Sequence, residues 1–260
     1  MADRLKKLFE QKKRNVLSVY CTAGFPLLED TVATMKALEQ NGVDMIELGV
    51  PYSDPLADGP VIQDSSSVAL RNGMTIELLF KELQKFRETV SIPVLLMGYI
   101  NPVLQFGFER FCREAARVGI DGLILPDLPE HEFETNYRDI IQRSGLNFVF
   151  LVTPETAPER IRRLDSLSSG FLYAVSSSST TGKEKDLAAV ENYLVRLRAM
   201  NLQNPIIVGF GIRDRESFQA ACRHANGAII GTAYIKALSG QGTIEEKTAN
   251  FLRAVTEPAS

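Results

Sequence analysis

Eight short apolar runs recur along the chain at a nearly even interval: LSVYCT (17–22), DMIEL (44–48), PVLLM (93–97), DGLIL (121–125), NFVFLV (147–152), GFLYA (170–174), PIIVG (205–209) and GAIIG (227–231). They are β-branched or aromatic and bounded by Gly, Pro or Asp, the pattern of buried strands. Longer charged stretches with helical spacing lie between them. In FERFCREAARVG (108–119), Phe108, Phe111, Cys112, Ala115 and Val118 fall on one face. Gly42 and Gly119 follow their helices as stop signals.

A strand apolar along its whole length needs cover on both faces, which is the environment of a parallel sheet. Eight cycles in 260 residues are about 32 residues each, close to the ~30 of a βαβ unit. No linker or change of composition divides the chain. The fold expected is α/β, a single (β/α)8 TIM barrel with an extra N-terminal helix, with residues 1–260 forming one catalytic domain. A doubly wound open sheet competes with this reading. Its dinucleotide fingerprint is incomplete, because GFGIRDRES (209–217) lacks the third Gly and no acidic residue closes a second strand after it.

Lys plus Arg number 29 against 32 Asp plus Glu, a net charge of −3, and the best basic cluster is Lys12-Lys13-Arg14. Such a chain carries no electrostatic footprint for nucleic acid or an anionic membrane. No stretch approaches the ~20 apolar residues of a membrane span. The N-terminus MADRLKKLFEQKKR has no apolar signal-peptide core, so the expected location is cytoplasmic. Cys21, Cys112 and Cys222 are far apart and read as small buried hydrophobes, with a catalytic Cys21 as the minor alternative.

In a barrel the chemistry sits on loops that follow the strands. Here those loops read TAGFP, GVPYSDPLADGP, GYINP, PDLPEHE, TPE, VSSSSTTG, FGIRD and GTA. Glu47, between Ile46 and Leu48, places an ionisable group in an apolar wall. Burying a carboxylate costs several kcal/mol unless it is paired or neutralised. A structural ion pair with a neighbouring Arg or Lys is one explanation. The other is acid/base work, favoured by Asp58 eleven positions further on in LADGP, a loop able to fold over the barrel mouth. Asp58 alone would read as a turn residue.

Elimination narrows the chemistry. His131 and His224 are the only histidines, at a helix start and at the opposite barrel end, which disfavours a histidine-liganded metal. No strand run contains Lys, which disfavours a Schiff base, leaving Lys183 as a weak candidate. HExxH, GxSxG and P-loop strings are absent. General acid/base catalysis by carboxylates without a cofactor remains. In the last two loops, Gly209, Gly211 and Gly231 precede helices whose free N–H groups favour an anion. Individually they read as turn glycines; with TTG (180–182) they favour a phosphate subsite. Tyr20, Tyr173 and Phe210 close strands and suit either core packing or a flat aromatic cavity.

ELGVPYSDPLADGP (47–60) closely resembles the signature of the tryptophan synthase alpha chain family. The likeness runs in order through TAGFP, GYINP, PDLPEHE, FLYAVSSSSTTG, VGFGI and GTA. It implies a barrel that cleaves indole-3-glycerol phosphate to indole and glyceraldehyde 3-phosphate. It also implies Glu47 as the general acid/base, Asp58 as a second catalytic carboxylate, and Tyr20, Ile124, Tyr173 and Phe210 around the indole. Thr181, Gly182, Gly211, Gly231 and Thr232 match its loop and phosphate positions. The implied partner is a beta chain in an α2β2 heterotetramer; pyridoxal phosphate belongs to that partner, and no cofactor or metal is expected here. The second and sixth loops, with Leu56 in the former, are expected to face the partner.

The chain departs from the family pattern at Ser177 and Ser179, where many members carry Arg and Gly, and at Tyr20, where some have Phe. These affect loop closure and indole affinity rather than the reaction. Two other readings share the fold: a stand-alone indole-releasing lyase, and a catalytically silent regulatory barrel.

Overall fold

The computed structural model describes residues 4–175, 187–209 and 211–257. The strands are β1 (Val16–Thr22), β2 (Met45–Gly49), β3 (Val94–Met97), β4 (Gly122–Ile124), β5 (Asn147–Phe148), β6 (Leu151–Val152), β7 (Leu172–Val175), β8 (Ile206–Gly209) and β9 (Gly227–Ile230). All pair in parallel, in the order β5-β4-β3-β2-β1-β9-β8-β7-β6. Every residue of β1, β2, β3, β7, β8 and β9 is buried, as continuous apolar runs require when helices cover one face and a packed interior the other.

The terminal segments of that order, β5 and β6, are two halves of the fifth expected strand. β5 pairs with β4 and β6 with β7, so one extended stretch of chain joins both ends of the sheet and closes the barrel. Between the halves, Val149 N–H donates to Leu123 on one side, while the Phe150 carbonyl accepts from Tyr173 N–H on the other. The Ser169 and Ser168 hydroxyls accept from the Phe148 and Phe150 amides. Side chains thus replace ladder partners at the break. The expected eight strands are therefore present, with the fifth divided.

The crossovers hold more helix than one segment per cycle. The second contains Pro60–Arg71 and Ile76–Glu82, and the third Ile100–Phe106 and Phe108–Val118. The last helix buries Phe108, Phe111, Cys112, Ala115 and Val118, and it stops at Gly119 with φ of 97°, a left-handed cap that Gly adopts without a Cβ penalty. The three cysteines are free and buried. Burial pushes the Cys21 thiol up to about 12, which removes it as a nucleophile near neutral pH.

The N-terminal helix Arg4–Gln11 covers the end of the barrel where the strands begin. Leu5 is fully buried and Phe9 packs on Phe171. Arg4 and Arg87 both reach the buried Asp121 carboxylate, which also accepts from Val94 N–H at 2.8 Å. Arg87 further donates to the Gly119, Val90 and Ile92 carbonyls. Replacing Asp121 by Ala strands a mostly buried guanidinium. Because both arginines keep some water contact, the expected loss is about 2–3 kcal/mol rather than the full cost of a broken buried pair. A urea midpoint shift with unchanged slope would measure it.

Candidate functional site

In-register residues of a parallel ladder share a face. Tyr20 pairs with Glu47 and Glu47 with Leu95. One pleat step further, Thr22, Gly49, Met97 and Ile124 are aligned across β1 to β4. Tyr20, Glu47 and Ile124 therefore project to the same side, into the barrel, and Ile124 ends β4 fully buried. Tyr173 belongs with them, since the charges of Glu47 and Asp58 both act on its hydroxyl.

Two glycines make this arrangement possible. A Cβ on Gly49 would stand 2.1 Å from the Tyr20 hydroxyl oxygen, and one on Gly209 would stand 2.2 Å from that of Tyr173. Each ring lies across the end of the next strand, over a residue without a side chain. Gly209, read from sequence as a turn or phosphate glycine, also has this packing role. The Tyr20 hydroxyl accepts from Thr22 Oγ1 at 3.4 Å, and Thr22 Oγ1 lies 2.7 Å from Ser65 Oγ on the helix after the second loop. The additional hydroxyl of Tyr20 thus has a protein partner.

Glu47 is completely buried. Ser18 Oγ donates to its Oε1 at 3.1 Å, and its Oε2 has no partner among the described residues. Among the described residues no Lys or Arg pairs with it, so the ion-pair explanation finds no partner there. Burial pushes its carboxyl up to about 8, against a smaller lowering by the Ser18 bond. A proton is therefore retained at neutral pH, inside an apolar wall.

Asp58 ends the second loop just before Gly59 and the helix that begins at Pro60. Its amide closes a turn onto Pro55, which is the turn chemistry the Asp-Gly pair suggests. The side chain is also engaged. Tyr99 donates to Asp58 Oδ2 at 3.0 Å, and the Tyr99 hydroxyl accepts from Ala57 N–H at 3.0 Å. Burial raises the Asp58 carboxyl to about 6, opposed by the Tyr99 bond. A cleft lined by Tyr20, Asp58, Met97 and Tyr99 opens at this end of the barrel.

Tyr99, Ser18 and Met97 were not singled out from sequence. The signal for Tyr99 was its place in GYINP, directly after a strand; for Ser18, it was a lone hydroxyl in an otherwise apolar run. Gly211 lies beyond β8 with φ of 78°, and Gly231 precedes the helix Thr232–Leu238. β8 and β9 are neighbours, so these loops emerge side by side. Thr181, Gly182 and Phe210, with Ser177, Ser179 and Lys183, lie outside the described residues. His131 is exposed, and His224 meets Glu191 before β9, at the opposite end. Among the described residues, no three His, Cys, Asp or Glu side chains are grouped to hold a metal ion, and no helix is long and apolar enough to cross a membrane.

A carboxylic acid held neutral in an apolar wall, with a second carboxylate at the mouth and Tyr173 within the field of both, can deliver a proton to a bound carbon or oxygen atom while the second stabilises positive charge. A family model described as tryptophan synthase alpha chain matches residues 6–259. The tryptophan synthase alpha chain of Flavobacterium johnsoniae is 54% identical over 244 residues, covering 93% of this chain and 96% of that one. That of Parabacteroides distasonis is 47% identical over 256 residues, covering 98% and 100%. Among solved structures, the tryptophan synthase subunit alpha from Legionella pneumophila superposes with a TM-score of 0.89 at 33% identity, covering 98% of this chain and 97% of that one.

Proposed function

The chain belongs to the tryptophan synthase alpha chain family, and from that premise we propose that it cleaves indole-3-glycerol phosphate to indole and glyceraldehyde 3-phosphate with Glu47 and Asp58 as the catalytic pair. The observation that carries the site assignment is the fully buried Glu47, without an ionic partner among the described residues and with its carboxyl raised to about 8.

Breaking the bond between indole C3 and the glycerol chain requires a proton at C3, so that the ring becomes an electron-accepting indolenine. Glu47 delivers that proton. As the bond breaks, its electron pair returns to the ring, and the adjacent glycerol hydroxyl gives up its proton to become the aldehyde; the Glu47 carboxylate is the base that takes it. Asp58 accepts from the indole N–H and stabilises its developing charge. Tyr20, Ile124, Tyr173 and Phe210 enclose the indole, and Thr181, Gly182, Gly211, Gly231 and Thr232 hold the sixth loop and the phosphate.

This chemistry needs Glu47 protonated and Asp58 ionised. The values near 8 and 6 give a bell-shaped kcat/KM profile with limbs at about those pH values in the free enzyme. A profile flat from pH 5 to 9, those bounds being roughly a pH unit outside the two limbs, would contradict the assignment.

The residues assigned to the reaction are all side chains and backbone of one barrel, residues 1–260, and the chemistry uses no cofactor. The partner is a beta chain carrying pyridoxal phosphate, in an α2β2 assembly in the cytoplasm. Leu56, 91% exposed two residues before Asp58, supports a covered second loop. Indole release from the isolated chain, with and without a beta chain, tests both parts. Strong activation favours the synthase subunit; equal rates favour a stand-alone lyase; no turnover with substrate bound favours a silent barrel.

A further inference from the structure

Ser18 is an anomaly on its strand. Its side chain is fully buried at the same parity as Val16, Tyr20 and Thr22, one pleat step below the Tyr20 ring, and a buried hydroxyl is costly without a partner. The bond from its Oγ to Glu47 Oε1 is the one the structure gives it. Ser18 pairs in register with Met45, and Tyr20 with Glu47. Ser18 therefore lies one pleat step deeper in the barrel than the carboxylate it holds.

We infer that Ser18 is a positioning residue for Glu47: by donating to Oε1 it leaves Oε2 as the oxygen that carries the transferable proton. This rests on the proposed lyase function. A carboxylic acid has one oxygen that bears hydrogen and one that only accepts. With Oε1 already accepting from Ser18, the acid form keeps its hydrogen on Oε2, the buried oxygen that has no partner among the described residues. The proton is held in one place instead of being divided between two oxygens and two rotamers. The titratable groups sharing this space are Tyr20 from β1, Tyr173 from β7 and Asp58 from the second loop; no cation among the described residues offsets them.

The test compares Ser18→Ala and Ser18→Cys with the unmodified chain, each assayed with a beta chain. A hydrogen bond to the charged form favours that form, so its loss moves the Glu47 limb upward. In Ser18→Ala the alkaline limb is expected about one pH unit higher and kcat about tenfold lower, with KM within about twofold. Ser18→Cys keeps the volume with a weaker donor and moves the limb the same way by less.

Infrared titration of the carboxyl band that Glu47→Gln removes gives a readout independent of turnover, and its midpoint should rise equally in Ser18→Ala. A midpoint that stays put in whichever variant folds overturns the positioning role, as does a kcat unchanged within about twofold at the pH optimum. If the midpoint moves while the unmodified chain releases no indole with its partner, the lyase function fails and the contact that orders Glu47 stands.

Discussion

Glu47→Gln is expected to fold and to lower indole release from indole-3-glycerol phosphate by about 10²–10⁴ in kcat, the usual contribution of one positioned acid or base. The amide keeps the shape of the side chain and can still accept from Ser18, so what is lost is the proton. Near-normal turnover would sink the assignment. The same variant should be more stable than the parent in alkaline solution. The Glu47 carboxyl is raised in the folded state from an ordinary 4.5 to about 8, so between those pH values the folded chain binds the extra proton. The stability of the parent therefore falls as pH rises through that window. The amide does not titrate. Thermal melts should diverge from about pH 5 upward, with Glu47→Gln melting several degrees higher by about pH 9, and should converge below about pH 4.

Asp58→Asn should lower kcat by about 10²–10³, comparable to removing one preorganised electrostatic group, with a smaller change in KM. Tyr99 can donate to the amide oxygen as it does to the carboxylate, so the loop keeps its seat while the charge facing the indole N–H disappears. The acid limb near pH 6 should vanish with it and the alkaline limb should stay. A variant that retains the acid limb would show that another group titrates there. Single-turnover rates against pH, measured with the beta chain present, separate this from a change in product release.

Much of the architecture was legible because it is written at short range. Strand positions follow from runs of apolar residues, and the helical face of 108–118 follows from spacing; all five residues its periodicity indicates are buried, with Ala116 added. Glu47 stood out because a charged residue in an apolar run violates its local pattern. Asp58 was harder, since Asp-Gly is consistent with an ordinary turn and the turn is indeed present. The break in the fifth strand was not legible, because it depends on Ser168 and Ser169 reaching the Phe150 and Phe148 amides from the next connection. The packing role of Gly209 is not legible for a similar reason: it comes from the Tyr173 ring on the neighbouring strand.

Local patterning was enough for the positions of the eight strand runs, the parallel class, the barrel over the open sheet, and the presence of one carboxylate inside an apolar wall. Those properties depend on residues near each other in the chain. Which polar groups meet that carboxylate was decided only by the tertiary structure. Ser18 and Glu47 are 29 positions apart, and Asp58 and Tyr99 are 41 apart. They meet because β1, β2 and β3 are neighbours in the parallel ladder, whose register sets which side chains and which strand ends lie side by side. No local pattern encodes that pairing, so whether Glu47 was half of an ion pair or a solitary acid was a question for the folded chain.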